Sequence, residues 1–361
     1  MKIAKIVIEN FRRIERLELD FTDAFGRVRP VTVLVGPNGC GKTSVLDAIG
    51  AAIGSNQELT AVRPTLPFDT RRMVRRGAAS ARVTCSLRFS EDEVSLTQQL
   101  LQNSPFDTRN FSGCEVELSW AFPHPAHTSA TFGWSDSSPP DGWRLLKGRI
   151  MAVRSLRAAP PGTDWLRRLG RVVTIDQQRT ILSRIVSPQV LGDGEGPRRT
   201  NNPRQILVDL ALKHAIPGAP HSEDLFARVR NQYNAICTPR ALVGAVRDGD
   251  DFDVLFRDGD SEYGFDDIAS GEAMILLLLI TLTAERIHRS IVLIDEIELH
   301  QHPVWQHRLL DALPHMGEDN QFIVTTHSDY LLSSLDRGSV HRVGAVNVLP
   351  LGDLREGNAD D

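Results

Sequence analysis

The sequence has 361 residues, 41% of them hydrophobic and 24% charged, with a net charge of −5. That length suits one large α/β domain with insertions, or two domains. The acidic balance excludes a general polycation, so any nucleic-acid contact needs a local basic patch. The four cysteines, Cys40, Cys85, Cys114 and Cys237, form no C-x-x-C pair; this argues against a disulfide scaffold or zinc knuckle and predicts a reducing, cytoplasmic setting.

The opening MKIAKIVIENF carries charge within two residues and has no apolar signal core. Residues 2–21 alternate apolar and polar, which predicts two strands with a turn near 10–13. Residues 31–35 form a β-branched apolar run, a buried strand, entering a loop and an amphipathic helix. Residues 82–89 and 114–120 predict strands of an antiparallel sheet, with SEDEVSLTQQLLQ as a helix between them. Residues 121–142, rich in Pro, Ser, His and Gly, predict a hairpin tip or loop. Further strands are expected at 150–153 and 172–175, and a linker at 192–204. Helices are expected at 205–213 and 222–237, then a hairpin pairing 242–246 with 252–256 across RDGDD. A loop follows, and then a helix from Gly271. Its apolar run AMILLLLI is too short for a bilayer span, which needs ~20 residues. Short buried strands at 291–294 and 321–325 bracket a helix at 304–313. The pattern predicts a doubly wound α/β core with the middle third inserted. No internal repeat and no heptad run long enough for a coiled-coil arm is present.

GPNGCGKT, residues 36–43, fits G-x-x-x-x-G-K-[ST] at every fixed position, after a strand and before a helix. Glycines let the backbone wrap phosphates with its N–H groups inward, and the helix N-terminus adds favourable dipole charge. Asn38, Gly39, Cys40, Gly41, Lys42, Thr43 and Ser44 are the candidate nucleotide contacts. Lys42 is expected to reach the β/γ-phosphates and the Thr43 hydroxyl to coordinate Mg²⁺. Cys40 occupies a variable position where a small side chain suffices. A nucleotide site needs a second element, an acid closing a neighbouring strand. Asp295, after the run IVLI, fits the metal-holding role, and Glu296 fits the base that orients or deprotonates the attacking water.

With these motifs in place the chain resembles the ABC-type ATPase heads of the SMC, RecF and OLD-nuclease group, often described as AAA-type ATP-binding proteins. The opening IVIENFRRIERLELDF looks like that group's N-terminal signature. Ser270-Gly271-Glu272 before a long apolar helix looks like the ABC signature. ELHQHP, residues 298–303, is similar to the E-x-H-x-H-P form of the D-loop in the OLD-like branch. IVTTHS, residues 323–328, resembles the switch-histidine strand. The resemblance implies a P-loop ABC-ATPase head with an antiparallel β subdomain and an inserted helical subdomain. It implies an N-terminal lobe at 1–180, an insertion at 181–265 and a C-terminal lobe at 266–361. Its cofactors would be ATP and Mg²⁺. Ser270, Gly271 and Glu272 would reach the γ-phosphate held by the other subunit of a homodimer or higher oligomer, and His327 would sense that phosphate. Gln177, or its neighbour Gln178, would touch Mg²⁺ and the attacking water, with Gln177 favoured. Arg12 would approach the phosphates, or be an exposed strand-turn arginine. Only a short tail follows Asp336, so the Toprim nuclease of OLD proteins is expected to be absent and the effector, a nuclease by analogy, separately encoded. Anti-phage defence and DNA repair are the implied settings, without a membrane. The alternative is a nucleotide-gated scaffold that holds a toxic effector inactive with little turnover.

Two other constellations are weaker. His300, His302 and His307 have no fixed fourth ligand for a metal, and the D-loop resemblance accounts for the first two. Basic clusters at Arg71, Arg72, Arg75 and Arg76, at Arg154, Arg157, Arg167, Arg168 and Arg171, and at Arg198, Arg199 and Arg204 suit contact with DNA or RNA phosphates. They equally suit solvated, salt-bridged faces.

Overall fold

The computed structural model describes residues 1–54, 73–101, 115–123, 170, 172–175, 203–215, 224–249, 251–284, 287–332 and 335–344. Its strands are β1 (Lys2–Phe11), β2 (Ile14–Asp20), β3 (Val31–Val35), β4 (Ser80–Arg88), β5 (Glu115–Pro123), β6 (Val172–Ile175), β7 (Ala241–Asp248), β8 (Asp251–Asp258), β9 (Ser261–Tyr263), β10 (Ile291–Ile294), β11 (Gln321–Thr326) and β12 (Val340–Arg342). Its longer helices are α1 (Lys42–Gly54), α2 (Glu91–Leu101), α3 (Pro203–Ala215), α4 (Leu225–Cys237), α5 (Ser270–Ala284) and α6 (Pro303–Ala312). The chain divides into two compact units. One comprises Met1–Thr174, His288–Ile297 and Asp319–Asp361; the other comprises Ile175–Ile287 and Glu298–Glu318.

The first unit holds two sheets. The antiparallel one has the order β2-β1-β4-β5. In β1, Ile3, Ile6 and Ile8 are buried, as alternation predicts for a sheet with one face on the core. Its tight turn places Asn10 and Arg12 at positive φ, 51° and 52°. The second sheet has the order β12-β3-β11-β10-β6, and β10, β11, β3 and β12 pair in parallel. IVLI of β10 is buried at all four positions, the reading of a strand covered on both faces. Helix α1 joins the two sheets: Val45, Leu46, Ile49 and Ile53 share one apolar cluster with Ile6, Ile8 and Val83 of the antiparallel sheet and with Leu293 and Ile323 of the parallel one. Each such fully buried side chain contributes about 1.5–3 kcal/mol, so this cluster fixes where the β3–α1 loop stands.

The second unit packs α4 against α3, α5 and α6 and against a three-stranded sheet of order β7-β8-β9. Asp224 caps α4 by accepting the Ala227 amide at 2.9 Å. The rings of Tyr233 and Tyr263 lie 5.6 and 5.7 Å from that of Phe256. The apolar residues of α5 run round the whole helix, which is why it is buried rather than amphipathic.

Most expected elements are found near their expected bounds; four departures stand out. Where a loop was expected after the hairpin, SEY forms β9. VHR forms β12, which no apolar run announces. The expected loop at 121–142 begins as strand, since β5 runs to Pro123, and the expected linker ends as the first turn of α3. The strand expected at 150–153 lies outside the described residues.

Candidate nucleotide site

The parallel sheet brings three sequence motifs to one edge. Strands β3, β10 and β11 run the same way in register, Ile294 beside Val324 and Thr326 beside Val35. Their carboxyl ends therefore align, and ligands of open α/β sheets bind outside such ends. The phosphate loop leaves β3, Asp295 and Glu296 leave β10, and His327 leaves β11 as an exposed residue.

The loop turns at Pro37, whose carbonyl accepts the Cys40 amide at 3.2 Å, and enters α1 at Lys42. Pro37, Asn38 and Gly39 form its exposed lip, whereas Cys40 and Gly41 are half-buried and Lys42 and Ser44 are buried. Lys42 Nζ donates to the Gly36 carbonyl at 2.7 Å and to that of Pro37 at 3.3 Å, so the ammonium is already folded into the loop. Gly36 is required by close approach: a Cβ there would stand 2.2 Å from the Val343 carbonyl oxygen. The loop is thus seated by the segment that follows β12, where the Val343 amide donates to the Val35 carbonyl at 2.7 Å.

Beside the loop, Thr43 Oγ1 donates to Asp295, 2.9 Å from Oδ2 and 3.2 Å from Oδ1. Asp295 is 5% exposed. A hydroxyl and a carboxylate in contact are two hard-oxygen donors, the set a hydrated Mg²⁺ takes. Thr325, fully buried, donates its hydroxyl to Asp295 Oδ1 at 2.6 Å and accepts the Glu296 amide at 2.8 Å. The Ile297 amide reaches the Thr325 carbonyl at 3.1 Å. Glu296 takes a positive φ of 48°, directly after the strand end. Sequence reasoning placed Thr325 in a strand and missed this role. Thr325→Val removes both bonds at nearly constant shape. We expect a loss of about 1–3 kcal/mol in urea-unfolding stability, together with a fall in ATP turnover.

Arg12, expected near phosphates, pairs with Asp47 on α1, and its guanidinium lies 5.7 Å from the centre of the Phe11 ring. Burial pushes the Asp47 carboxyl up to about 6, with Arg12 opposing that rise. It is the exposed Arg13 that touches the loop lip, donating to the Gly39 carbonyl at 2.9 Å.

The signature and D-loop segments belong to the second unit. Ser270 is exposed at the start of α5. Gly271 is pressed against the D-loop: a Cβ there would stand 2.4 Å from the His300 carbonyl oxygen. Glu272 corrects the expectation of a phosphate-facing residue, for it is 1% exposed and both its oxygens are engaged inside the unit. His300 adopts φ 59°, and His302 caps α6 by accepting the Val304 amide on Nδ1 at 3.3 Å. Both histidines shape the loop. Gln177 and Gln178 lie outside the described residues, as do all the arginines of the basic clusters except Arg75, Arg76 and Arg204. Arg75 pairs with Glu15, Arg204 pairs with Asp253 at 2.9 Å, and Arg76 is exposed. Among the described residues no group of three or more His, Cys, Asp or Glu could hold a metal alone, and no helix is long and apolar enough to cross a membrane.

Two family models match the chain. One, described as "AAA ATPase domain", covers residues 1–92; the other, described as "AAA domain, putative AbiEii toxin, Type IV TA system", covers 221–333. The "Septu protein PtuA" of Bacillus mycoides is 23% identical over 345 residues, 94% of this chain and 40% of that protein. The "Retron Ec83 probable ATPase" of Escherichia coli is 46% identical over 51 residues, 14% of this chain and 9% of that one. The chain thus spans less than half the length of these curated relatives. Among solved structures, an SMC head bound to the C-winged helix domain of ScpA superposes with a TM-score of 0.55 at 14% identity, covering 95% of this chain and 94% of that one. At that identity the likeness speaks for the fold alone, and the fold is that of an ABC-type P-loop ATPase head of the SMC kind.

Proposed function

We propose that the chain is a magnesium-dependent ATPase that dimerises around ATP and drives a separately encoded effector in anti-phage defence. The observation that carries this reading is the contact between Thr43 and Asp295 beside the phosphate loop. Thr43 and Asp295 would hold Mg²⁺, with Gln177 as a further ligand, and the ion would neutralise phosphate charge. Lys42 would exchange its two loop carbonyls for phosphate oxygens. Glu296 would orient the attacking water and accept its proton. His327, at the same sheet edge, would contact the γ-phosphate. Ser270 and the N-terminus of α5 would donate to the γ-phosphate held by the second copy. Glu272 would act from behind them. The names of the Septu and retron relatives support the defence setting, and the SMC-head fold supports a head-to-head dimer. A nuclease is the effector class proposed, acting on DNA or RNA; a DNA-repair role is the neighbouring possibility.

The match to a toxin-type AAA model favours a second reading, in which the chain is a nucleotide-gated scaffold that holds a toxic effector inactive. Steady-state turnover with and without DNA separates the two. Rapid, DNA-stimulated hydrolysis supports the ATPase. Tight ATP retention, with effector assembly unchanged in Glu296→Gln, supports the scaffold.

A further inference from the structure

Glu272 has an unusual setting for a residue next to an exposed signature serine. Its Oε1 accepts the Tyr233 hydroxyl at 2.6 Å and the Tyr263 hydroxyl at 3.1 Å. Its Oε2 accepts the Ala269 amide at 3.1 Å and pairs with Arg240. The Ala269 contact is half of a capping box, reaching back over the first turn of α5. Burial is the main reason both tyrosine hydroxyls are pushed upward in pKa, with the Glu272 charge adding to it, so both stay donors. A buried carboxylate is costly unless fully satisfied; besides the Ala269 amide, its donors come from α4, β9 and the segment between α4 and β7.

Arg240 extends the network. Its Nε donates to Asp258 at 3.1 Å on β8. Its guanidinium carbon lies 5.4 Å from the centre of the Trp305 ring, and that ring lies 6.2 Å from His302. Trp305 sits in the first turn of α6, directly after the D-loop. The signature and the D-loop are therefore joined twice within one unit, once through Arg240 and once where Gly271 meets the His300 carbonyl.

We infer that Glu272 and Arg240 are positioning residues that hold Ser270 and the Glu298–Pro303 loop as one rigid body, presented ready-made to a second copy of this chain. The inference rests on the dimer reading above. It replaces a ligand role for Glu272 with an orienting one, acting through Ser270.

The test uses the full chain with Arg240→Ala, Arg240→Lys, Glu272→Gln and Tyr263→Phe, each also combined with Ser270→Ala. Affinity for a fluorescent ATP analogue, read at protein concentrations too low for dimers, should stay within about 2-fold of wild type. Misplacing a reacting-site group by about 1 Å can cost 10²-fold; kcat at saturating ATP should fall about 10- to 100-fold in Arg240→Ala and Glu272→Gln and less in Tyr263→Phe. Arg240→Lys keeps the charge but loses the fork and should not rescue. Combined with Ser270→Ala, Arg240→Ala should cost clearly less than the product of the two single losses, because part of the Arg240 effect acts through the Ser270 hydroxyl. Wild-type kcat in folded Arg240→Ala and Glu272→Gln, or multiplicative losses in the double variants, would overturn the inference. If Glu272→Gln does not fold, Tyr263→Phe and Arg240→Lys decide by the same criteria. If the wild type itself neither dimerises nor turns over, the proposed function fails. The inference then stands or falls on hydrogen exchange: residues 269–272 and 298–303 should lose protection together in Arg240→Ala, and loss in only one segment refutes it.

Discussion

Lys42→Ala is expected to lower ATP affinity by about 10²–10³-fold. Lys42 is 7% exposed and its ammonium is anchored by two carbonyls of the phosphate loop. Opposite unit charges about 4 Å apart in a partly screened site interact by about 4 kcal/mol, which is about three orders of magnitude in affinity. Two measurements check this. Isothermal titration should lose its ATP signal. Thermal unfolding should lose the ligand stabilisation that amounts to about 2.7 kcal/mol at 100-fold excess over Kd. Nucleotide affinity within a few-fold of wild type would sink both functional readings.

Glu296→Gln should separate binding from chemistry. The substitution keeps size and hydrogen-bonding reach, and the backbone turn is fixed from outside the side chain by the Thr325 bond to the Glu296 amide. Affinity should therefore hold, while loss of a general base removes about 10²–10⁴-fold from turnover. ATP-bound dimers should then accumulate, visible as an ATP-dependent shift in sedimentation or gel filtration that persists for hours. Unchanged turnover would remove Glu296 from the mechanism. A parallel Asp295→Asn variant should instead make binding lose its dependence on Mg²⁺, since Asp295 and Thr43 form the oxygen pair.

These residues differ in how readily the sequence declares them. The phosphate loop is contiguous, and every group that matters lies within eight positions. Asp295 and Glu296 are announced by four apolar residues running into two acids. Thr325 gives no such signal: its partners lie 29 and 30 positions away, and it reads as one more β-branched strand residue. Strands β9 and β12 escape because three-residue segments such as SEY and VHR are held by pairing with neighbours rather than by an apolar pattern. Glu272 was misassigned for the opposite reason. Its place in a short motif pointed to the ligand, whereas Tyr233, Tyr263 and Arg240, brought in from other elements, turn it inward. Motif spacing reports where the backbone goes; which way an acid faces depends on donors elsewhere in the chain.

The seating of Gly36 against Val343 has a consequence for how the protein comes into being. The glycine-rich loop follows β3 directly, yet that strand's neighbours β11 and β12 arrive about 290 to 305 positions later. Until about residue 344 has left the ribosome, the emerging polypeptide holds the loop sequence without the carbonyl and strands that support it. Loop closure over such separations is slow. Nascent chains short of that point should therefore ignore ATP, and competence for nucleotide should appear abruptly once β11 and β12 have paired with β3.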